Sequence, residues 1–329
     1  MTLADPAAAR YAPRMAKARI NQGKVAFVFP GQGSQKVGMG REAFDAGGAS
    51  RATFDQADDA LKEKLSTLCF EGPEETLRLT MNTQPAILAT SVALFRGLAE
   101  APDFVAGHSL GEYSAHVAVG TLAFADAVRL VRSRGEYMQQ AVPVGQGAMA
   151  AILKLDREVL EKICRETDGV VEPVNYNSPG QIVIAGDAAS VAAASEKCSA
   201  AGGRAMPLPV SAPFHCRLMK PAEEMLAARI ADVAFADPSC PVYVNVDAVA
   251  VTKASVAKDA LVRQVSRSVR WDESVLRMVQ DGVTLFVEVG VGNALSGMIK
   301  RTTEKAACVS VQKPADYDAA RAAIAEARA

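Results

Sequence analysis

The chain has 329 residues, 50% hydrophobic and 22% charged, with 36 Lys and Arg against 37 Asp and Glu. This composition builds a globular core and excludes a disordered or fibrous chain. The length suits one large domain or a large domain with a smaller one. A formal net charge of -1 gives no global excess directed at nucleic acid or an anionic membrane.

Six cysteines (Cys69, Cys164, Cys198, Cys216, Cys240, Cys308) are scattered, without a Cys-x-x-Cys pair or a Cys/His cluster. That spacing argues against a metal site and against a disulfide framework, and it suits a reducing cytoplasm. No window of about 18 uninterrupted apolar residues marks a membrane span. Residues 1–23 carry Arg10, Arg14, Lys17 and Arg19 against the single acid Asp5. They read as a basic, disordered extension ahead of the fold, with an Arg-rich transit peptide as the alternative.

Lys24–Phe29 predicts the first strand, stopped by Pro30 and followed by the loop Gly31-Gln32-Gly33-Ser34-Gln35. Helices are predicted over Arg51–Leu65 and over Gln84–Leu98, with Pro85 in a first helical turn. Asp103–Ala106 reads as a short buried strand and Glu112–Val119 as a helix, with Gly107-His108-Ser109-Leu110-Gly111 between them. Strand, sharp turn and helix around Gly-x-Ser-x-Gly is the setting in which a serine becomes a nucleophile rather than a member of an ordinary Gly-rich turn. The helix N-terminus behind it favours developing negative charge.

A further helix is predicted over Asp126–Ala141. Strand Gly147–Leu153, helix Asp156–Thr167, strands Val171–Asn175 and Gln181–Ala185 around the turn cluster Asn177-Ser178-Pro179-Gly180, helix Val191–Ala201 and the extended run Arg204–Pro209 spell β-α-β-β-α-β. The main sheet resumes at Pro241–Asn245. Its last strand is expected at Thr284–Val289, with Gly290 leading into a helix from Ala294. The fold class expected is α/β. A large α/β-hydrolase-like domain of mostly parallel sheet (24–144 and 214–329) carries an inserted ferredoxin-like small domain (145–213).

A serine hydroxyl needs an adjacent base, and the chain has three histidines. His108 is turned away from Ser109 by the elbow. His116, seven residues along the helix, lies about 10 Å off at 1.5 Å per residue and reads as a packed or surface residue. His215, in a Pro-bounded loop after the small domain, remains as candidate base, against the plainer reading of a structural histidine. The Gly31 loop lacks both a dinucleotide fingerprint and a phosphate loop. It could supply a second oxyanion amide beside that of Leu110. Arg134, on a helix, reads as a solvated residue unless it faces the cleft, where its fork suits a carboxylate.

Taken together, Phe29-Pro30-Gly31-Gln32-Gly33-Ser34-Gln35, Gly107-His108-Ser109-Leu110-Gly111-Glu112-Tyr113, Arg134-Gly135-x-x-Met138, Asn175-Tyr176-Asn177-Ser178-Pro179-Gly180-Gln181 and Phe214-His215 resemble the malonyl-CoA:acyl carrier protein transacylases. The chain also resembles the acyltransferase domains of fatty acid and polyketide synthases, but as a freestanding enzyme. The resemblance runs from about Lys24 to about Thr302 and implies a ping-pong acyl transfer without a cofactor. Ser109 would be the nucleophile and His215 the base, with Gln264 orienting the base through an acceptor oxygen. The amides of Gln32 and Leu110 would form the oxyanion hole. Arg134 would hold the malonyl carboxylate, and Phe214 and Asn177 would face substrate. Malonyl-CoA and acyl carrier protein are the implied partners, and a monomer is expected. Lys220, Lys300 and Arg301 are candidates for a basic patch toward the acidic carrier protein. Val291 stands where the family has proline. Two rivals are a patatin-like Ser-Asp hydrolase, faintly echoed by Asp281-Gly282-Val283, and an inactive binding module.

Overall fold

The computed structural model describes residues 23–210 and 212–329; the segment read as a basic tail or transit peptide lies, but for Gly23, outside the described residues. In chain order the strands are β1 (Lys24–Phe29), β2 (Phe104–Gly107), β3 (Gly147–Leu153), β4 (Val171–Ser178), β5 (Gln181–Asp187) and β6 (Arg204–Pro207). They continue with β7 (Val242–Val244), β8 (Val249–Val251), β9 (Val269–Arg270), β10 (Val283–Val289) and β11 (Ala307–Val311).

A six-stranded sheet has the order β11-β10-β1-β2-β7-β8. All its pairings are parallel except the edge hairpin of β7 with β8. Helices on both faces explain why β1 is a continuous apolar run. Side chains alternate across the sheet: Val25, Phe27 and Phe29 pack with Leu94, Leu98 and Val105 on one face. Ala26 and Val28 pack with Phe286 and Trp271 on the other.

The second sheet has the order β6-β3-β5-β4-β9. Its first four strands are antiparallel and carry helices Arg157–Arg165 and Ala188–Ala200 on one face, the ferredoxin-like arrangement. Its other face, with Met149, Val174 and Val183, joins the main core beside Phe214 and Met138. The fifth strand comes from far along the chain: β9 pairs in parallel with β4, Asn175 opposite Val269. The protein is thus α/β, an α/β-hydrolase-like unit with a small ferredoxin-like one.

Four local expectations are corrected. Pro85 is not in a first turn, because the helix begins at Thr80 and runs to Leu98 with the proline inside it. The predicted helix Arg51–Leu65 is two, Gly48–Leu61 and Leu65–Glu71, broken where Lys62 turns left-handed at φ 56. Asn177 and Ser178 belong to β4, so the hairpin turn is only Pro179-Gly180. Thr284–Val289 lies within β10, but β11 follows it at the sheet edge, half-exposed and short, where hydrophobic patterning is weakest.

Candidate active site

Gly107 closes β2, and the helix Gly111–Ala118 leaves at once. Both glycines are required by close approach. A Cβ on Gly107 would lie 1.9 Å from the carbonyl carbon of Gly111, and one on Gly111 would lie 2.0 Å from the oxygen of Phe29. The left-handed backbone falls instead on Ser109, at φ 52. A non-glycine residue in that region is strained and needs its surroundings to hold it. Three hydrogen bonds do so: Ser109 N–H donates to Asn245 Oδ1 at 2.7 Å, Asn245 Nδ2 to the Gly107 oxygen at 2.7 Å, and Gln264 Nε2 to the Ser109 oxygen at 3.0 Å.

His215 also sits left-handed, at φ 65. Its Nε2 is 2.7 Å from Ser109 Oγ and its Nδ1 is 2.8 Å from the backbone oxygen of Gln264. A carbonyl only accepts, so Nδ1 carries the proton and Nε2 turns its lone pair to the serine. Burial first, and then the Arg134 cation, push the imidazole from 6.5 down to about 3. His215 is therefore neutral at ordinary pH.

The Arg134 guanidinium is buried and faces the same point. Nη2 donates to Ser109 Oγ at 3.1 Å and to Gln264 Oε1 at 3.0 Å, while Nη1 donates to Gln84 Oε1 at 2.8 Å. The Tyr113 ring lies 5.6 Å from its central carbon. Burial lowers its pKa, offset by the fields of Tyr113 and Glu112. Its direct hydrogen-bond partners, Ser109, Gln264 and Gln84, are all neutral, so a substrate carboxylate would be the first anion to touch the fork itself.

These groups open on a cavity of about 460 Å³. Gln32 lines it, and neither its amide N–H nor that of Leu110 donates to another group among the described residues. The Leu110 side chain is buried in the main core, which leaves only its amide toward the elbow. Phe214 lines the cavity with Met138 and Met149. Asn177 does not; its Oδ1 faces His108 Nε2 at 2.8 Å, outside the cavity wall. Its neighbour but one on the same strand face, Asn175, is in the wall, and its Oδ1 is buried without a partner. The pairing of β4 with β5 is irregular at Asn177, between Tyr176 and Ser178, and sequence spacing does not reveal that irregularity.

His108 stands in the wall beside Ser109, 5.8 Å from Trp271 between ring centroids. Burial lowers its pKa, partly offset by Asn177. His116 is packed and fully buried, 3.9 Å from Glu112. Lys220 pairs with Glu223, and Arg301 bonds Ser178 and Gln181; neither they nor Lys300 line the cavity. Asp281 accepts from the Tyr243 hydroxyl and lines a different surface depression, away from Ser109. Sequence reading missed Gln84, Asn245 and Glu112, whose roles are hydrogen bonds across 50, 136 and 152 residues of chain. Among the described residues no group of three His, Cys, Asp or Glu could hold a metal. No helix there is long and apolar enough to cross a membrane.

Comparison with known proteins agrees with this geometry. The family model described as acyl transferase domain matches residues 26–324. The malonyl CoA-acyl carrier protein transacylase of Escherichia coli K12 is 49% identical over 302 residues, covering 90% of this chain and 98% of that protein. The crystal structure of an acyl carrier protein S-malonyltransferase from Vibrio cholerae superposes with a TM-score of 0.88 at 47% identity, covering 90% of this chain and 99% of that one. A malonyl-transacylase solved in complex with a type II polyketide synthase acyl-carrier protein gives a TM-score of 0.88 at 45% identity, covering 90% and 98%. A left-handed serine at an elbow, a neutral histidine beside it and an arginine at its oxygen thus meet a match along almost the whole fold, and the chain belongs to the acyl transferase domain family.

Proposed function

We propose that this protein transfers the malonyl group of malonyl-CoA to the phosphopantetheine thiol of acyl carrier protein, through a malonyl ester on Ser109. One contact carries this reading: Arg134 Nη2 lies 3.1 Å from Ser109 Oγ, itself 2.7 Å from His215 Nε2. An arginine that close to a nucleophile fits an acyl group whose carboxylate lies one methylene beyond the attacked carbonyl.

The carboxylate pairs with Arg134 and takes the place of the Ser109 oxygen on Nη2. Ser109 Oγ then attacks the thioester carbonyl as its proton passes to His215 Nε2. The amides of Gln32 and Leu110 take the oxyanion. Collapse expels the CoA sulfur, which leaves with the proton from His215. The carrier-protein thiol enters, gives its proton to His215 and attacks the ester. Release of Ser109, reprotonated by His215, completes the cycle. Pairing Arg134 with the carboxylate also offsets one of the effects that depress His215, so substrate makes its own base stronger.

No cofactor takes part in these steps. The product is an activated two-carbon extender for fatty acid synthesis, made in the cytoplasm. The carrier protein of a polyketide synthase is the second acceptor supported, by the likeness to the transacylase solved with such a partner. The test is mass spectrometry of the protein after incubation with malonyl-CoA. A malonyl adduct on Ser109, discharged by phosphopantetheinylated acyl carrier protein and missing in Ser109→Ala, is expected. A Ser-Asp hydrolase would keep its activity in His215→Ala, and an inactive binding module would form no adduct.

A further inference from the structure

Glu112 is fully buried in the first turn of the helix behind Ser109, and the steps above give it no part. Its Oε2 accepts from the backbone N–H of Asn245 at 2.8 Å and from Gln264 Nε2 at 2.9 Å. Its Oε1 has no hydrogen-bond partner and faces His116 Nε2 at 3.9 Å. A carboxylate in so dry a place is costly unless its hydrogen bonds organise something else.

We propose that Glu112 is a positioning residue that sets the polarity of the Gln264 amide, and through it the orientation of both Arg134 and His215. The Asn245 backbone N–H can only donate, so it fixes Oε2 as an acceptor. The nitrogen of the Gln264 amide must therefore face Glu112, where it also reaches the Ser109 oxygen at 3.0 Å. The oxygen is thereby turned to Arg134 Nη2 at 3.0 Å. Reversed, the amide would set donor against donor at Arg134 and push the guanidinium off the nucleophile. The same residue offers its backbone oxygen to His215 Nδ1. Through Asn245, Glu112 also reaches the side chain that takes the Ser109 amide. One carboxylate thus indexes the clamp, the base and the elbow without touching substrate.

This inference rests on the malonyl-transfer reading. The readout is the single-turnover rate of adduct formation on Ser109 with malonyl-CoA and with acetyl-CoA. Glu112→Gln keeps an acceptor at the Oε2 position and places its amide nitrogen toward His116. It is expected to stay within about fivefold of the parent. Glu112→Met keeps the volume but removes the acceptor. It is expected to lose about 10²-fold with malonyl-CoA and clearly less with acetyl-CoA, which does not use Arg134. Rescue by Gln and the malonyl-selective loss separate positioning from mere packing. A Met variant that acylates at the parent rate, or equal losses with both substrates, overturns the proposal. Should Glu112→Met lose its cooperative melt, Glu112→Gln decides alone, and a hundredfold loss in that folded variant refutes it. Failure of the underlying reading is distinguishable, since the unmodified protein would then acquire no malonyl adduct.

Discussion

The guanidinium of Arg134 and the hydroxyl of Ser109 are in direct hydrogen-bond contact, at 3.1 Å. A cation so placed selects by charge and by length. Arg134→Ala is expected to slow Ser109 malonylation by about 10- to 100-fold, the worth of a lost charge-assisted hydrogen bond at about 1.5–3 kcal/mol. Acetylation from acetyl-CoA should be relatively favoured. Adduct rates for the two donors, measured side by side, check this; an unchanged malonyl-to-acetyl ratio removes Arg134 from the clamp.

The pH dependence has a definite sign. Burial and Arg134 lower the His215 pKa, so the base stays unprotonated at neutral pH and is lost only as pH falls well below 6.5. Acylation by acetyl-CoA, followed from about pH 4 to about pH 8, should hold its plateau through 6.5. In Arg134→Ala one depressing influence is gone, and the acid limb should move to higher pH. A parent limb centred at the ordinary histidine value contradicts this environment.

The oxyanion groups are backbone amides, so side-chain identity at Gln32 matters less than its N–H. Gln32→Ala is expected to cost little. Gln32→Pro, which deletes the donor, should lower the acylation rate by about 10²- to 10³-fold. Matched melting curves would confirm that the fold survives, and equal rates for the two variants would take Gln32 out of the oxyanion hole.

Phe214 forms part of the cavity wall beside the nucleophile. Phe214→Ala opens room for an α-methyl group. Relative acceptance of methylmalonyl-CoA should rise by about tenfold, the lower range for one methyl in a pocket. Competition between the two donors, read by the mass of the Ser109 adduct, tests it.

Gly111 abuts the carbonyl of Phe29. Gly111→Ala forces the helix off the sheet and is expected to cost about 3 kcal/mol or more, with activity falling further than stability because Ser109 moves with that helix. Calorimetry and adduct rates on the same preparation distinguish the two losses.

Much of this site was legible in the sequence, for physical reasons that also mark the limits. Ser109 is announced by glycines that steric approach demands. His215 follows because chemistry needs a base and few histidines are available. Gln264 was expected to orient the base through an acceptor oxygen, and which of its oxygens faces the base is a fact of three-dimensional packing: the backbone carbonyl meets His215 while the side chain meets Arg134. Asn177 was expected to face substrate, but Asn175 is the asparagine in the cavity wall, and the irregular pairing of β4 at Asn177 is not visible in residue spacing. Asn245 and Glu112 were missed altogether, since a hydrogen bond across the fold leaves no periodicity to read. The edge strand β11 escaped for a related reason: a short, half-wet strand has no strong pattern.

The acceptor behind His215 is a peptide oxygen, where serine proteases of the triad type place a carboxylate. Burial and the Arg134 cation leave the imidazole a feeble base, which a neutral peptide oxygen does less to restore than a carboxylate would, and feebleness sorts the nucleophiles that come to a loaded Ser109. A thiol, with a pKa of about 8.5, parts with its proton to such a base far more readily than water, at about 15.7. The same surroundings that weaken the base toward water keep the ester alive for the carrier protein. Patience toward water is thus built into the dry, cationic setting of one imidazole.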